Sequence, residues 1–344
     1  MSFSVGIVGL PNVGKSTLFK ALTKKEVDIA AHPFTTIHPN VGIVTVPDER
    51  LEKIAEVIKP EKITPTIIEF VDIAGLVKGA HRGEGLGNQF LAHIRNCDAI
   101  MEIVRDFQSS QVEHVEGNID PERDIETIKV ELLMKDLETL ENLLAKLEKD
   151  AKKGDKKVVR KFEIFKKVKE AVSRGKPIAD LNLTDEEKAE LKEFQLLTEK
   201  PTIYVLNIGN EQATRENLKA ISFNLKMEEE ISDLSESEIK ELGLKSQLDQ
   251  LILSCYNVLD LITFYTIKGG EETRAWTIRK GGRAPEAGGK VHSDFEEKFI
   301  RAEVIPWQKL AEASSWPKAR ELGWIKTVGR DYIVEDGDVI EFKI

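Results

Sequence analysis

The sequence contains little cysteine, few aromatic residues and no long apolar runs. Only two cysteines, Cys97 and Cys255, occur in 344 residues. They are too few for a disulfide framework, and neither lies in the C-x-x-C spacing of a metal or redox site. No segment reaches the roughly 18–20 consecutive apolar residues of a membrane-spanning helix, and the first residues lack the pattern of a signal peptide. These absences exclude disulfide-rich secreted proteins and membrane proteins, so we expect a cytoplasmic protein.

The charge of the chain is unevenly distributed. The net charge of −10 argues against a protein that simply coats nucleic acid. Residues 146–176, however, contain 13 lysines and arginines against 5 aspartates and glutamates, which gives this stretch a local charge of +8. A basic segment on an acidic protein suits a molecule that touches phosphates with one region only. The alternative is an ordinary solvated helix face, and the charge count alone does not separate the two.

A length of 344 residues suggests two or three domains at roughly 100–200 residues each. Apolar runs at 4–8, 66–71 and 99–104 alternate with longer segments, which predicts a mostly parallel sheet covered by helices. Residues 202–206 are expected to add a further strand. The region between is helical, because five leucines follow the 4-3-4-3 spacing of a helical seam: Leu133, Leu137, Leu140, Leu144 and Leu147. A break at 152–155 and a weaker second pattern predict an antiparallel helical hairpin inserted into the sheet domain.

The sequence changes character after residue 260. Short strand patterns at 261–266, 275–278, 299–304 and 339–343 are separated by glycine-rich turns, which we expect at 269–270, 281–282, 288–289 and 335–338. Residues 306–320 are more helical. We therefore predict a small α+β module with strands around one helix.

The most specific motif is the run from Gly9 to Ser16, which has the pattern G-x-x-x-x-G-K-S between a predicted strand and a predicted helix. In such a phosphate loop (P-loop), backbone N–H groups and the helix N-terminus cradle phosphate oxygens. Lys15 is placed to reach the β- and γ-phosphates, and the Ser16 hydroxyl to bind Mg²⁺. The motif predicts a nucleotide-binding site.

An acidic residue at the end of a second strand completes the expected magnesium site. Asp72 follows the apolar run at 66–71, and the Gly75 N–H is placed to contact the γ-phosphate. A threonine between the two motifs is expected to close over the metal, with Thr36 as the first choice and Thr35 as the alternative.

The residue after Gly75 is unusual for this kind of site. Ras-like GTPases have a glutamine there, which orients the attacking water. Leu76 cannot form that hydrogen bond, so hydrolysis is expected to be slow or to depend on another group. The candidates for that group are His81, Arg82, Glu84 and His114.

The segment expected to bind the base follows the strand at 202–206. GTPases use Asn-Lys-x-Asp there, and the aspartate selects guanine. In this chain Asn207 is present, but Ile208 and Asn210 replace the lysine and the aspartate. Because an amide both donates and accepts hydrogen bonds, it lacks the preference of a carboxylate for guanine. Adenine binding, relaxed base selection and loss of base binding are the alternatives.

Taken together, these motifs resemble the YchF (Obg-like ATPase) family of translation-factor-class P-loop NTPases. Further support comes from the runs 83–88 and 114–117 and from the tail 275–342. The resemblance implies an α/β fold with three parts: a G domain, an inserted antiparallel α-helical hairpin and a C-terminal β-grasp (TGS) module. The expected boundaries are 1–120 and 200–260 for the G domain, 121–199 for the hairpin and 261–344 for the TGS module.

The resemblance also implies a preference for ATP over GTP, a catalytic role for His114, and association with the ribosome. The family's adenine-binding motif, Asn-x-x-Glu, falls on Asn207–Asn210, where the fourth residue is an asparagine and the glutamate, Glu211, comes one position later.

We therefore predict a Mg²⁺-dependent ATPase that binds ATP and ADP and reaches ribosomal RNA through its basic hairpin, with no membrane or DNA partner. Lys15 and His114 are the predicted catalytic residues, and Ser16, Thr36 and Asp72 the predicted metal ligands. The predicted nucleotide contacts are Asn12, Val13, Gly14, Lys15, Ser16, Thr17, Asn207, Ile208 and Asn210. The alternatives are a non-catalytic nucleotide-gated switch that binds RNA or the ribosome, and a GTPase with relaxed base selection.

Overall fold

The computed structural model describes residues 3–24, 40–73, 87–109, 113–209 and 218–344. The strands of these residues are β1 (Phe3–Val8), β2 (Val41–Thr45), β3 (Lys62–Thr64), β4 (Ile67–Asp72), β5 (Ala99–Asp106), β6 (Thr202–Ile208), β7 (Ala220–Phe223), β8 (Leu261–Lys268), β9 (Glu272–Arg279), β10 (Arg301–Pro306), β11 (Lys326–Val328) and β12 (Asp338–Lys343).

The helices of the first 260 residues, within the same ranges, are α1 (Lys15–Thr23), α2 (Glu49–Ile58), α3 (Gly87–Asn96), α4 (Pro121–Ala151), α5 (Lys156–Ser173), α6 (Asp185–Lys192), α7 (Leu225–Ile231), α8 (Glu236–Glu241) and α9 (Leu248–Val258). The C-terminal helices are α10 (Ala284–Val291), α11 (Ser293–Glu297), α12 (Trp307–Ala313) and α13 (Trp316–Glu321). None of these helices is long and apolar enough to cross a membrane.

The first sheet has the strand order β2-β4-β1-β5-β6-β7. β1 lies between β4 and β5 and is parallel to both, and β5, β6 and β7 continue the parallel arrangement. Within this sheet only β2 is antiparallel to its neighbour β4. β1 and β5 are almost completely buried, as expected for strands covered by helices on both faces. The prediction of a mostly parallel α/β sheet is confirmed.

A helical hairpin is inserted between β5 and β6, and we call α4, α5 and the turn that joins them the arm. The N-cap residue Asp120 accepts a hydrogen bond from the Arg123 N–H and starts α4, whose 31 residues span about 46 Å at 1.5 Å per residue. Leu140 and Phe165 are buried between the two helices. An ion pair of 3.1 Å joins Lys169 to Glu141, two positions that only an antiparallel pair brings together. The predicted antiparallel hairpin is confirmed.

The second sheet has the order β11-β10-β12-β8-β9-β3. Its edge strand β3 comes from the first part of the chain and runs parallel to β9. The preceding helix α2 packs on the same sheet, where Leu51 and Ile54 join the apolar cluster that contains Tyr265 and Ala275. Two elements of this module, α2 and β3, therefore lie before the predicted boundary at residue 260. The sequence patterns did not predict that this part of the chain would join the second sheet.

Two expectations for the C-terminal module were wrong. Gly288 and Gly289 do not form a turn but lie within α10. A Cβ on Gly288 would lie 2.9 Å from the Phe295 carbonyl oxygen, so glycine is needed there for α10 and α11 to pack closely. The module also contains more than the one helix predicted. Ser314 adopts a left-handed conformation at φ 60° and ends α12, so the helical segment 306–320 is divided between α12 and α13, and α10 and α11 precede them.

Candidate functional site

The segment between β1 and α1 forms a tight loop against the neighbouring strand β5. Gly9 has φ 155° and Gly14 has φ 106°, both in the region that favours glycine. A Cβ on Gly9 would lie only 2.5 Å from the Ile103 carbonyl oxygen, and one on Gly14 would lie 2.5 Å from Asn207 Nδ2. The two glycines of the motif therefore allow the loop to approach the adjacent strand ends. Gly14 is also the N-cap residue of α1, so the positive end of that helix dipole is directed at the loop.

The Lys15 ammonium group is folded over this loop. Its Nζ donates to the carbonyl oxygens of Gly9 at 3.2 Å and Leu10 at 2.9 Å. Burial lowers the pKa of Lys15 to about 8, although the charge of Asp72 partly offsets this effect. The ammonium group of Lys15 is therefore less well stabilised by water than that of a surface lysine. Phosphate oxygens would stabilise such a cation strongly.

Asp72 ends β4 at the same edge of the sheet. In the parallel register of β1 and β4 it is the partner of Ile7, two residues before the loop begins. Burial raises the pKa of Asp72, and the nearby Lys15 lowers it. Ser16 is exposed in the first turn of α1.

The donors at this edge fit magnesium, which takes oxygen ligands and is commonly held by one or two side chains together with substrate phosphates. In the part of the chain that the structure describes, no three or more His, Cys, Asp or Glu residues form a metal-binding group. Such a site would therefore depend on Ser16, Asp72 and the phosphates themselves.

Several predicted residues lie outside the described ranges. Thr36 and its alternative Thr35 belong to this group, as do Gly75 and Leu76. The same holds for the alternative water-positioning residues His81, Arg82 and Glu84 and for the base-segment residues Asn210 and Glu211.

Asn207 joins three segments at the predicted base-binding end of the sheet. Its Nδ2 donates to the Val13 carbonyl oxygen at 2.9 Å, and its Oδ1 accepts from the Leu225 N–H at 3.2 Å. The side chain is buried. Asn207 therefore ties the phosphate loop to the start of α7, and one Nδ2 hydrogen is left over after these bonds.

The other predicted nucleotide contacts surround the same loop. Val13 is buried in the core, so only its main chain can reach a ligand. Asn12 is exposed with φ 64°, whereas Thr17 and Ile208 are half-buried. The structure thus brings Asn12, Val13, Gly14 and the residues that follow to one edge of the sheet, with Asn207 in direct contact.

His114 is buried beside this loop and makes two hydrogen bonds. Its Nδ1 accepts from the Glu116 N–H at 3.1 Å, and its Nε2 is 2.7 Å from Asp124 Oδ2. Because Nδ1 uses its lone pair as an acceptor, Nε2 carries the ring hydrogen and donates it to Asp124. Neither ring nitrogen then has a lone pair for a water molecule. In this arrangement the predicted catalytic histidine cannot act as a base.

Sequence reasoning missed the partners of these residues. Asp124 is one of two acidic residues in the first turn of α4, where acidic side chains are common for reasons of helix stability alone. Nothing in its local pattern indicates a contact with a histidine ten residues earlier. Glu113 and Leu225 contribute main-chain groups to the site, which a sequence motif does not reveal.

A phosphate loop between the first strand and first helix, with an acidic residue at the end of the adjacent parallel strand, defines a P-loop nucleoside triphosphatase of the GTPase type. The family model MMR_HSR1, described as 50S ribosome-binding GTPase, matches residues 4–149. The model YchF-GTPase_C, described as a protein of unknown function, matches residues 261–344.

Full-length relatives narrow this class to one family. The chain is 46% identical to "Ribosome-binding ATPase YchF" of Bacillus subtilis, with 100% of this chain and 99% of the relative covered. It is 43% identical to the protein of the same name from Haemophilus influenzae, with 100% and 99% covered. The structure of the Schizosaccharomyces pombe YchF GTPase matches with a TM-score of 0.85 at 36% identity over 99% of this chain and 98% of that one. The chain belongs to the YchF family.

Proposed function

We propose that this chain is a Mg²⁺-dependent nucleotide hydrolase that prefers ATP to GTP and works in association with the ribosome. The observation that carries the proposal is the position of Lys15, whose partly buried ammonium lies over the phosphate loop beside the carboxylate of Asp72. The names of the relatives from Bacillus subtilis and Haemophilus influenzae support the ATPase activity and the ribosome association.

The proposed division of work combines the positions of Lys15, Ser16, Asp72 and His114 in the structure with the sequence motif that contains Thr36. Lys15 and the backbone N–H groups of 12–17 bind the phosphates and stabilise the charge of the phosphoryl group that is transferred. Ser16, Thr36 and Asp72 would hold magnesium, which when bound neutralises charge on the phosphate oxygens. His114 would position water only after its ring leaves Asp124. Hydrolysis by the free protein is therefore slow.

The choice of base is the part of the proposal most open to experiment. The bacterial relatives are named ATPases, whereas the relative from Schizosaccharomyces pombe is named a GTPase. The test is calorimetric titration of nucleotide-free protein with ADP and with GDP in the presence of magnesium. We expect ADP to bind at least tenfold more tightly, a difference of about 1.4 kcal/mol. Equal affinities would indicate a general nucleotidase, and tighter GDP binding would overturn the choice of ATP.

The arm is the proposed ribosome-binding surface, and the structure restricts which of its cations are available. Many are paired with acidic side chains, including Arg160 with Glu186 and Lys167 with Glu187. Lys156 and Lys157 lie at the exposed start of α5 near the tip, and their ammonium groups form no ion pair among the described residues. These two lysines are therefore the strongest candidates for contacts with RNA phosphates.

A nucleotide-gated switch with little turnover is the second candidate, and the hydrogen bonds of His114 favour it. If ATP occupancy alone sets the state of the protein, His114→Ala will leave both nucleotide binding and turnover unchanged. If the protein instead hydrolyses ATP with the help of His114, nucleotide binding will persist in this variant while the turnover number falls at least tenfold. Single-turnover hydrolysis of radiolabelled ATP, together with calorimetric binding, separates the two functions.

A further inference from the structure

The first turn of the arm holds the histidine that the proposed function assigns to water positioning. Asp124 lies one turn after the N-cap residue of α4, and its side chain is only 3% exposed. It accepts the hydrogen bond from Nε2 of His114, whose own side chain is 2% exposed. The Arg123 guanidinium also donates to the other oxygen of Asp124. A single carboxylate thus connects the start of the arm to the histidine.

The segment around His114 is otherwise open to solvent. Val115 is 50% exposed, Glu113 and Glu116 are exposed, and Gly117 has φ 80° with nothing near its Cβ position. His114 is the buried residue of an exposed segment, and the two hydrogen bonds of its ring fix its orientation. The bond to Asp124 is the shorter of the two, at 2.7 Å against 3.1 Å for the bond from the Glu116 N–H.

The same segment reaches the phosphate loop. Nδ2 of Asn12 donates to the Glu113 carbonyl oxygen at 3.5 Å, so His114 is one residue from a contact with the loop. An open cavity of about 660 Å³ adjoins His114, and its lining includes Arg105, Gln108, Ser109, Glu113 and Asn118. The ring therefore lies close to the loop that is proposed to hold the phosphates.

α4 continues without a break from Asp124 to the tip of the arm. Asp136, three turns further along, accepts hydrogen bonds from the main chain of Leu197 and Thr198 at 2.8 and 2.7 Å and fastens the helix to the turn before β6. Beyond that point α4 packs against α5 through the apolar cluster that contains Leu140 and Phe165. The tip of the arm and the residue that bonds to His114 therefore belong to one continuous helix.

We propose that Asp124 is a positioning residue that keeps His114 away from the phosphates, and that displacement of the arm by its partner releases the ring for water positioning. The inference rests on the proposed function, because it takes His114 as the group that acts on water. Without the Asp124 acceptor, the Nε2–H would be buried and unsatisfied. The ring then leaves its site and becomes available to the nucleotide.

The test is Asp124→Ala in the full-length protein, assayed for ATP turnover without ribosomes. We expect kcat to rise at least threefold while the KM for ATP stays within twofold, since Asp124 does not touch the phosphate loop. The same substitution in a His114→Ala background should give no rise. A second readout is independent of turnover: carbethoxylation of His114 by diethylpyrocarbonate, followed by peptide mass spectrometry, should be slow in the natural protein and at least fivefold faster in Asp124→Ala.

Two matched variants separate positioning from a merely structural role. Asp124→Asn keeps an acceptor for the Nε2–H, so its turnover and labelling should lie closer to those of the natural protein. Asp136→Asn changes another buried carboxylate of the same helix, one that bonds to the main chain and not to a histidine. It should lower the melting temperature, and it should raise kcat and the labelling rate of His114 less than Asp124→Ala does.

The arm is tested by adding purified ribosomes from the expression host to both proteins. We expect ribosomes to stimulate the natural protein and to add little to the raised turnover of Asp124→Ala. Equal stimulation of both would overturn the link to the arm. A lower kcat in Asp124→Ala, or unchanged labelling, would overturn the positioning role. If His114→Ala alone leaves turnover unchanged, the proposed function of His114 fails, and the labelling rates still decide whether Asp124 holds the ring.

Discussion

Lys15 is the residue whose protonation should control nucleotide affinity. Its pKa of about 8 in the free protein results mainly from burial, whereas phosphate oxygens beside it favour the charged form. The bound protein therefore has the higher pKa, and binding takes up a proton at any pH between the two values. We expect the affinity for ADP to be nearly constant from pH 6.5 to 7.5 and then to fall by up to about tenfold per pH unit above pH 8.

Calorimetry across pH 6.5–9.5, in buffers of different ionisation enthalpy, measures both the affinity and the proton uptake. Lys15→Arg is the matched control, because a guanidinium stays charged over this range. Its affinity for ADP should be lower but should not fall above pH 8. A natural protein with the same flat profile would show that Lys15 does not titrate near pH 8.

At the scale of single elements, the arm offers a prediction about ribosome binding. Lys156→Glu and Lys157→Glu together remove two exposed cations at the start of α5 whose ammonium groups form no ion pair among the described residues. We expect weaker co-sedimentation with ribosomes and a smaller dependence of binding on salt, because each lost phosphate contact reduces the release of counterions.

The matched control is the double variant Lys240→Glu and Lys245→Glu, which makes the same change in charge outside the arm. It should sediment with ribosomes like the natural protein. If both double variants weaken binding equally at low and moderate salt, the effect comes from net charge and the arm is not the contact surface.

The arm and the phosphate loop could be predicted from sequence because each is encoded locally. The glycine positions of the motif, and the leucines spaced four and three residues apart, carry their meaning within one or two turns of chain. The structural role of Gly288 is not encoded locally in this way. A glycine pair is a common turn signal, and only the close approach of Phe295 in the folded module explains why these glycines lie in a helix.

The candidate site was likewise predictable only for those residues that belong to local motifs. Motif residues such as Lys15 and Asp72 come together because parallel strands end at one edge of a sheet. The partners of His114 and Asn207 were not predictable, since Asp124 and the Val13 carbonyl oxygen are chosen by tertiary packing. Local sequence patterns identify the proposed functional residues but not the residues that hold them in place.

At the scale of the whole molecule, polar and apolar contacts join the first part of the chain to the second sheet. Tyr265 of β8 donates a hydrogen bond to Asp48 at 2.5 Å, and Arg50 pairs with Asp336 at 2.6 Å. Thr66 and Thr277 are joined by a hydrogen bond of 2.5 Å. Beneath these contacts α2 packs its apolar face on the second sheet. The C-terminal module is therefore built onto the first part of the chain rather than merely tethered to it.

Ile54→Ala tests that integration. Ile54 is 0% exposed within the shared cluster, so its truncation should lower the free energy of unfolding by about 2–5 kcal/mol. Amide exchange should also accelerate in β8 and β9, which are more than two hundred residues away in sequence. Urea unfolding and hydrogen exchange measure the two effects.

Ile63→Ala is the control for this experiment, because Ile63 lies on β3 but is 49% exposed. It should change the free energy of unfolding by no more than about 0.5 kcal/mol. Destabilisation by Ile54→Ala without faster exchange in β8 and β9 would show that the two parts unfold independently.

The placement of β3 at the edge of the second sheet has a consequence for biosynthesis. Thr64 and its hydrogen-bond partner Glu272 are separated by 208 residues. At about 5–20 residues per second, α2 and β3 emerge roughly 10–40 s before the strand that completes their pairing. During that interval the apolar face of α2 is without the sheet that covers it in the folded protein, so it is exposed to contacts with other chains.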